Sequence, residues 1–181
     1  MKKEYLRNLT VTGLFMSIGL VLPFITGQIP TIGKMLLPMH IPVFLCALIC
    51  GWQYAVPMAF ILPLLRSLLF TMPPLYPTAV AMAFELATYA LVTGLIYSFM
   101  KRKNAVSVLI SLICGMIAGR IVWGAAQSVL LGISGKTFTF SAFLAGAVLD
   151  AVPGIIIQIV LIPAIMAVMY KTGLLAADGG D

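Results

Sequence analysis

"AVSVLISLICGMIAGRIVWGAAQSVLL", residues 105–131, is the stretch whose reading decides the fold. A helix rises about 1.5 Å per residue, so this run exceeds the ~30 Å hydrocarbon core of a bilayer. Its one charged residue is Arg120. Outward from it, the rest of the chain has the same character. Of 181 residues, 62% are hydrophobic and 9% charged, and the mean hydropathy is +1.13. A soluble globule is about half apolar and a quarter charged, so that class is excluded. The apolar runs are long and continuous rather than alternating, which favours helices over the strands of a membrane barrel. The reading is an all-α integral membrane protein, one compact bundle spanning residues 1–181 with no room for a second, soluble domain.

Six segments are predicted, near residues 5–25, 39–50, 54–70, 77–100, 105–131 and 142–170. The second is too short to cross alone unless it borrows loop residues or packs against protein. The first follows "MKKEYLR" and has no A-x-A-like cleavage site before the next loop, so it reads as a retained helix and not a signal peptide. The odd cysteine count of 3 argues against a disulfide framework, and Cys46, Cys50 and Cys114 read as packing residues. A pI near 9.4 would suggest nucleic acid in a soluble protein; here the charge distribution encodes topology instead. With the N-terminus inside, Lys2, Lys3, Arg7, Lys101, Arg102, Lys103 and Lys171 lie inside and only Lys34 and Lys136 outside. Both termini are therefore expected in the cytoplasm.

In that frame the intramembrane polar residues fall in the outer half: Arg66 roughly 6 Å deep, Glu85 and Asp150 roughly 12 Å, Arg120 roughly 16 Å. His40 begins the second segment near the outer surface. A conduction path would string polar groups through both halves, so the pattern reads as a pocket with a floor. Arg120, Trp123 and Gln127 share one helix face at i, i+3, i+7, and Glu85 and Tyr89 pair at i, i+4. On the last segment Ala142, Gly146, Asp150, Gly154 and Gln158 recur every fourth residue, a ridge that permits close approach. Gly115 and Gly119 read as internal packing. Arg120 paired with Glu85 or Asp150 also fits a purely structural bridge, and Arg66 also fits a snorkelling arginine.

The "LLGISGKTF" stretch (130–138) is not a phosphate loop, because Leu130 stands where that motif needs glycine and no strand precedes it. The chain therefore has no engine of its own, and a single histidine is too few for most metal or catalytic sets. No cofactor, metal or enzymatic activity is expected.

The stretches "LLPMHIPVFLCALICGWQYA" (36–55), "PLLRSLL" (63–69), "MPPLYPTAVAMAFELATYALVTGLIY" (72–97) and "AGRIVWGAAQ" (118–127) resemble the substrate-binding S components of energy-coupling factor (ECF) transporters, bacterial vitamin importers. The resemblance covers nearly the whole chain. It implies a six-helix bundle in the bacterial plasma membrane, with an outward pocket formed by the fourth to sixth helices and the outer loops. The loop after the first helix would act as a lid. A separate membrane coupling subunit and two cytoplasmic ATPases would drive release. Family members dock through an A-x-x-x-A motif on the first helix; here Gly13 and Ser17 replace the alanines.

The combined expectation is a capture subunit for a water-soluble vitamin. Arg120 would bind or orient polar substrate groups, with Trp123 and Tyr89 stacking against it. Glu85, Gln127, Asp150 and Gln158 would supply hydrogen bonds, and His40 and Arg66 would close the outer rim. Two arginines and a histidine lean towards a carboxylate such as pantothenate. If both acids neutralise both arginines, a neutral B6 form or cobalamin fits as well. The alternatives are a self-sufficient proton-coupled secondary transporter using Glu85 and Asp150, and a noncatalytic membrane assembly protein in which the charges are structural pairs.

Overall fold

The structure is a computed structural model that describes residues 2–25, 38–137, 139–146 and 151–175. Among them the regular elements are all helical: α1 Lys2–Ile25, α2 His40–Ile49, α3 Trp52–Phe70, α4 Val80–Phe99, α5 Ala105–Ile133, α6 Phe140–Leu144 and α7 Val152–Lys171. A π-helical turn, Leu75–Ala79, leads directly into α4. Five helical stretches (3–24, 52–70, 75–99, 105–133 and 152–171) are long and apolar enough to cross a membrane. Helix α2, with 10 residues, spans only about 15 Å.

Local chemistry sets the boundaries. Gly51, at φ +90°, adopts a conformation that side chains disfavour and lets the chain reverse between α2 and α3. Trp52 and Gln53 therefore belong to the first turn of α3, two residues earlier than expected. Asn104 caps α5 by accepting from the Ser107 backbone N–H at 2.9 Å. Of the expected segment 142–170 the structure describes α6 to Leu144, a π-helical continuation over 145–146, a turn at Ala151 and α7 from Val152. Pro153 lies in the first turn of α7, where its missing N–H leaves no intrahelical bond unmade. Of the i+4 ridge from Ala142 to Gln158, Asp150 lies outside the described residues. So do the expected lid, residues 26–37, and the side chain of Lys2.

Side-chain pairs fix the antiparallel order. At one end Phe24 of α1 meets Phe70 of α3 edge-on at 4.8 Å, and the Tyr76 hydroxyl donates to the Leu130 carbonyl of α5. At the other end Tyr5 lies 5.9 Å from Tyr54, and the hydroxyls of Tyr97 and Tyr170 bond each other. The second end carries the basic 101–103 loop, where Lys103 lies 4.3 Å over the Tyr97 ring.

The short α2 is the buried centre. Val43, Phe44, Cys46 and Ala47 are closed off among α1, α3, α4 and α7, so its polar backbone is shielded by protein, the condition under which a half-length segment survives at membrane depth. Helices α4 and α5 pack with close backbone approach. A Cβ added to Gly115 would overlap the Thr93 hydroxyl, and one on Gly119 would overlap the Tyr89 ring, so this G-x-x-x-G pair is internal packing. Helix α1 is the least embedded, with Leu6, Leu9, Leu14, Ile18 and Val21 exposed. In a bilayer such apolar faces meet lipid or another protein.

Candidate functional site

Four of the expected site residues converge. Glu85, in the second turn of α4, takes Arg120 Nη1 of α5 on its Oε1 at 2.9 Å. The same oxygen accepts the Tyr89 hydroxyl at 2.7 Å. His40 Nε2, from the first residue of α2, lies 3.8 Å from it. Each position follows from local structure. Glu85 and Tyr89 are one turn apart on α4, and Gly119, one residue before Arg120, lets α5 come close enough for the guanidinium to reach the carboxylate. Glu85 is 2% exposed, Tyr89 and His40 1% each, and the Arg120 side chain 13%. A carboxylate this deep in an apolar bundle needs such partners, because an uncompensated buried charge costs several kcal/mol.

The group has an aromatic floor: the Tyr89 ring packs 5.1 Å from Phe44 and 5.3 Å from the His40 imidazole. Phe44 escaped the sequence reading, although its i, i+4 spacing from His40 puts both on one face of α2. His40 was expected at the rim and is instead in the centre. Pro38 and Met39 before it are buried as well, so α2 starts inside the protein and not at its surface.

Arg66 is not part of this group. Its Nη1 donates to the Leu20 carbonyl of α1, and its guanidinium stacks 4.9 Å from the Phe24 ring and 5.4 Å from that of Phe70. It fastens α3 to the last turns of α1, where helix carbonyls attract a cation. Trp123 lies one turn from Arg120 and packs on Phe143 of α6 at 6.3 Å and 30°, with Gly146 admitting its ring edge. Gln127 of α5 and Gln158 of α7 are both buried, and α7 packs on the helices that carry Arg120 and His40. Among the described residues, Arg120 Nε and Nη2 and Gln158 Nε2 are buried donors without a hydrogen-bond acceptor. No group of three or more histidine, cysteine or acidic residues suited to a metal occurs among the described residues. Gly13 and Ser17 are exposed on α1, where a Cβ added to Gly13 would meet open space, and the Ser17 hydroxyl donates to the Gly13 carbonyl at 3.0 Å.

A bundle of long apolar helices around a buried ion pair defines a multi-pass helical membrane protein. Residues 7–170 match the family model described as "ECF transporter, substrate-specific component", and the chain belongs to that family. It is accordingly a substrate-binding subunit of an ECF transporter, a membrane assembly in which such a subunit takes a small-molecule substrate and works with coupling and ATPase modules. No curated protein and no solved structure matches the chain.

Proposed function

We propose that the chain, as one domain, captures a water-soluble vitamin or related micronutrient at the Glu85–Arg120 group and delivers it through a separate coupling subunit driven by two ATPases. The observation that supports this most directly is the pair of buried donors on Arg120, Nε and Nη2, left over from its ion pair with Glu85, with a further buried donor, Gln158 Nε2, on α7. A purely structural bridge would leave no such donors in an apolar interior, where each unmade hydrogen bond costs about 1–3 kcal/mol. A ligand that accepts from them offsets that cost.

Arg120 and Gln158 contact the ligand, Glu85 holds Arg120 in place, and Tyr89 and His40 hold Glu85. Trp123 and Gln127 line the same face of α5, and Asp150 supplies a further hydrogen bond to the ligand. The group lies in the half of the bundle away from the basic 101–103 loop. With that loop in the bacterial cytoplasm the site faces outward, and both termini lie inside. The exposed face of α1 that carries Gly13 and Ser17 is the surface that meets the coupling subunit.

Reconstitution of the chain into liposomes with and without its coupling and ATPase partners tests this assignment. Uptake should require the partners and ATP and persist when the proton gradient is collapsed. Uptake by the chain alone, abolished by an uncoupler, would instead establish a secondary transporter.

A further inference from the structure

We infer that the ligand of this site carries no net charge and presents two adjacent acceptors, and that Glu85 is the residue that makes the site reject carboxylates. The inference rests on the capture reading above and adds the chemical class of what is captured.

The geometry of the guanidinium carries the first half. Its donors lie in a fixed planar fork, and Nε–H and one Nη2–H point the same way, parallel and close together. In Arg120 the opposite side of the fork is occupied: Nη1 is held by Glu85 at 2.9 Å. The Nε and Nη2 atoms are buried and, among the described residues, have no acceptor. They form a bidentate edge presented to whatever fills the site. Gln158 Nε2 adds another buried donor. These groups call for an acceptor-rich partner such as a carbonyl beside a ring nitrogen, two neighbouring carbonyls, or a carboxylate.

Charge decides among those. Both arginines that would favour an anion are already engaged. Arg66 lies against α1, with the Leu20 carbonyl and two phenyl rings as its surroundings. Arg120 is compensated by a carboxylate in direct contact, itself 2% exposed and bonded to Tyr89. The Glu85 carboxylate and the Arg120 guanidinium offset each other one for one. A carboxylate ligand on the Nε–Nη2 edge would put two anions on one guanidinium in an apolar interior, leaving a buried net charge. A neutral ligand with the same pair of acceptors satisfies the same donors without it.

The test is isothermal titration of the purified full chain at about pH 8, where free imidazole is neutral. The probes are matched pairs that differ in one carboxylate: nicotinate and nicotinamide, pantothenate and panthenol, 4-pyridoxate and pyridoxine, biotin and its amide. Riboflavin and folate stand as a neutral and an anionic vitamin without such twins. In whichever pair registers, the neutral member should bind about tenfold or more tightly. Glu85→Gln, which leaves Arg120 uncompensated, should reverse the order. Tight binding of riboflavin supports the inference as well. Preference of the wild-type protein for the carboxylate member, or for folate, overturns the inference and leaves the capture reading intact. A folded protein that binds none of the probes overturns the capture reading, and the inference with it. Should Glu85→Gln fail to fold, the wild-type order of each pair still decides.

Discussion

Replacing Arg120 by leucine leaves the Glu85 carboxylate, 2% exposed, with the Tyr89 hydroxyl as its one close donor and His40 Nε2 at 3.8 Å. Charges centred about 4 Å apart attract by about 4 kcal/mol at an effective dielectric of 20, and removing one member of a buried pair costs about 3–5 kcal/mol. The two single variants should not cost the same. Glu85→Leu strands a guanidinium whose side chain is already 13% exposed and has a long stem with which to seek water, so its cost falls at the low end. Arg120→Leu strands an anion with no such route, so its cost falls at the high end. The double variant replaces the pair by two aliphatic groups and should unfold within about 1 kcal/mol of the wild type. Unfolding in mixed micelles, followed by far-UV circular dichroism across the four proteins, measures a coupling energy of about 7 kcal/mol on this account. Additive costs, with a coupling below about 0.5 kcal/mol, would show that the two residues do not form the pair.

Other positions give independent checks. Gly119→Leu should destabilise by about 1–3 kcal/mol, because its side chain would enter the space of the buried Tyr89 ring; an unchanged unfolding midpoint would contradict the α4–α5 packing. Tyr89→Phe keeps the ring against Phe44 and removes only the 2.7 Å hydrogen bond to Glu85, a loss of about 1.5–3 kcal/mol on the same assay. Arg66→Ala should lower stability by about 2 kcal/mol through its contacts with α1, yet leave ligand affinity unchanged; lost affinity in a folded variant would return Arg66 to the site. Gly13→Leu, on an open face, should leave the unfolding midpoint unchanged while reducing ATP-driven uptake in proteoliposomes; full uptake would remove this face from the docking surface.

The bilayer explains why so much of the fold was legible. Hydrocarbon thickness forces long apolar runs, and punctuation such as Asn104 and Gly51 leaves a visible trace at helix starts. In the last segment the four-residue repeat of Ala142, Gly146, Gly154 and Gln158 was legible, while the chain at 145–146 is wound as a π-helix, a departure that small residues leave no trace of in the sequence.

At the site, the i, i+4 relation of Glu85 and Tyr89 was visible as a pattern, and it is a hydrogen bond. The partner of each arginine was not. Arg66 and Arg120 look alike in one dimension, each a lone cation in an apolar helix, and they differ only in what the neighbouring helix presents: a carbonyl and two rings to one, a carboxylate to the other. His40 was misplaced for a related reason. Depth counted from a segment's end assumes that the end lies at the membrane surface, and α2 begins inside the protein.

The central claim, that this buried group is where the substrate sits, is tested most directly by native mass spectrometry of the chain purified without its partners from cells grown in vitamin-rich medium. The Glu85→Leu/Arg120→Leu double variant, expected to fold, is measured beside it. The account predicts one stoichiometric small molecule on the wild-type protein and none on the variant. The same molecule retained at full occupancy by the folded double variant would place the substrate elsewhere in the bundle.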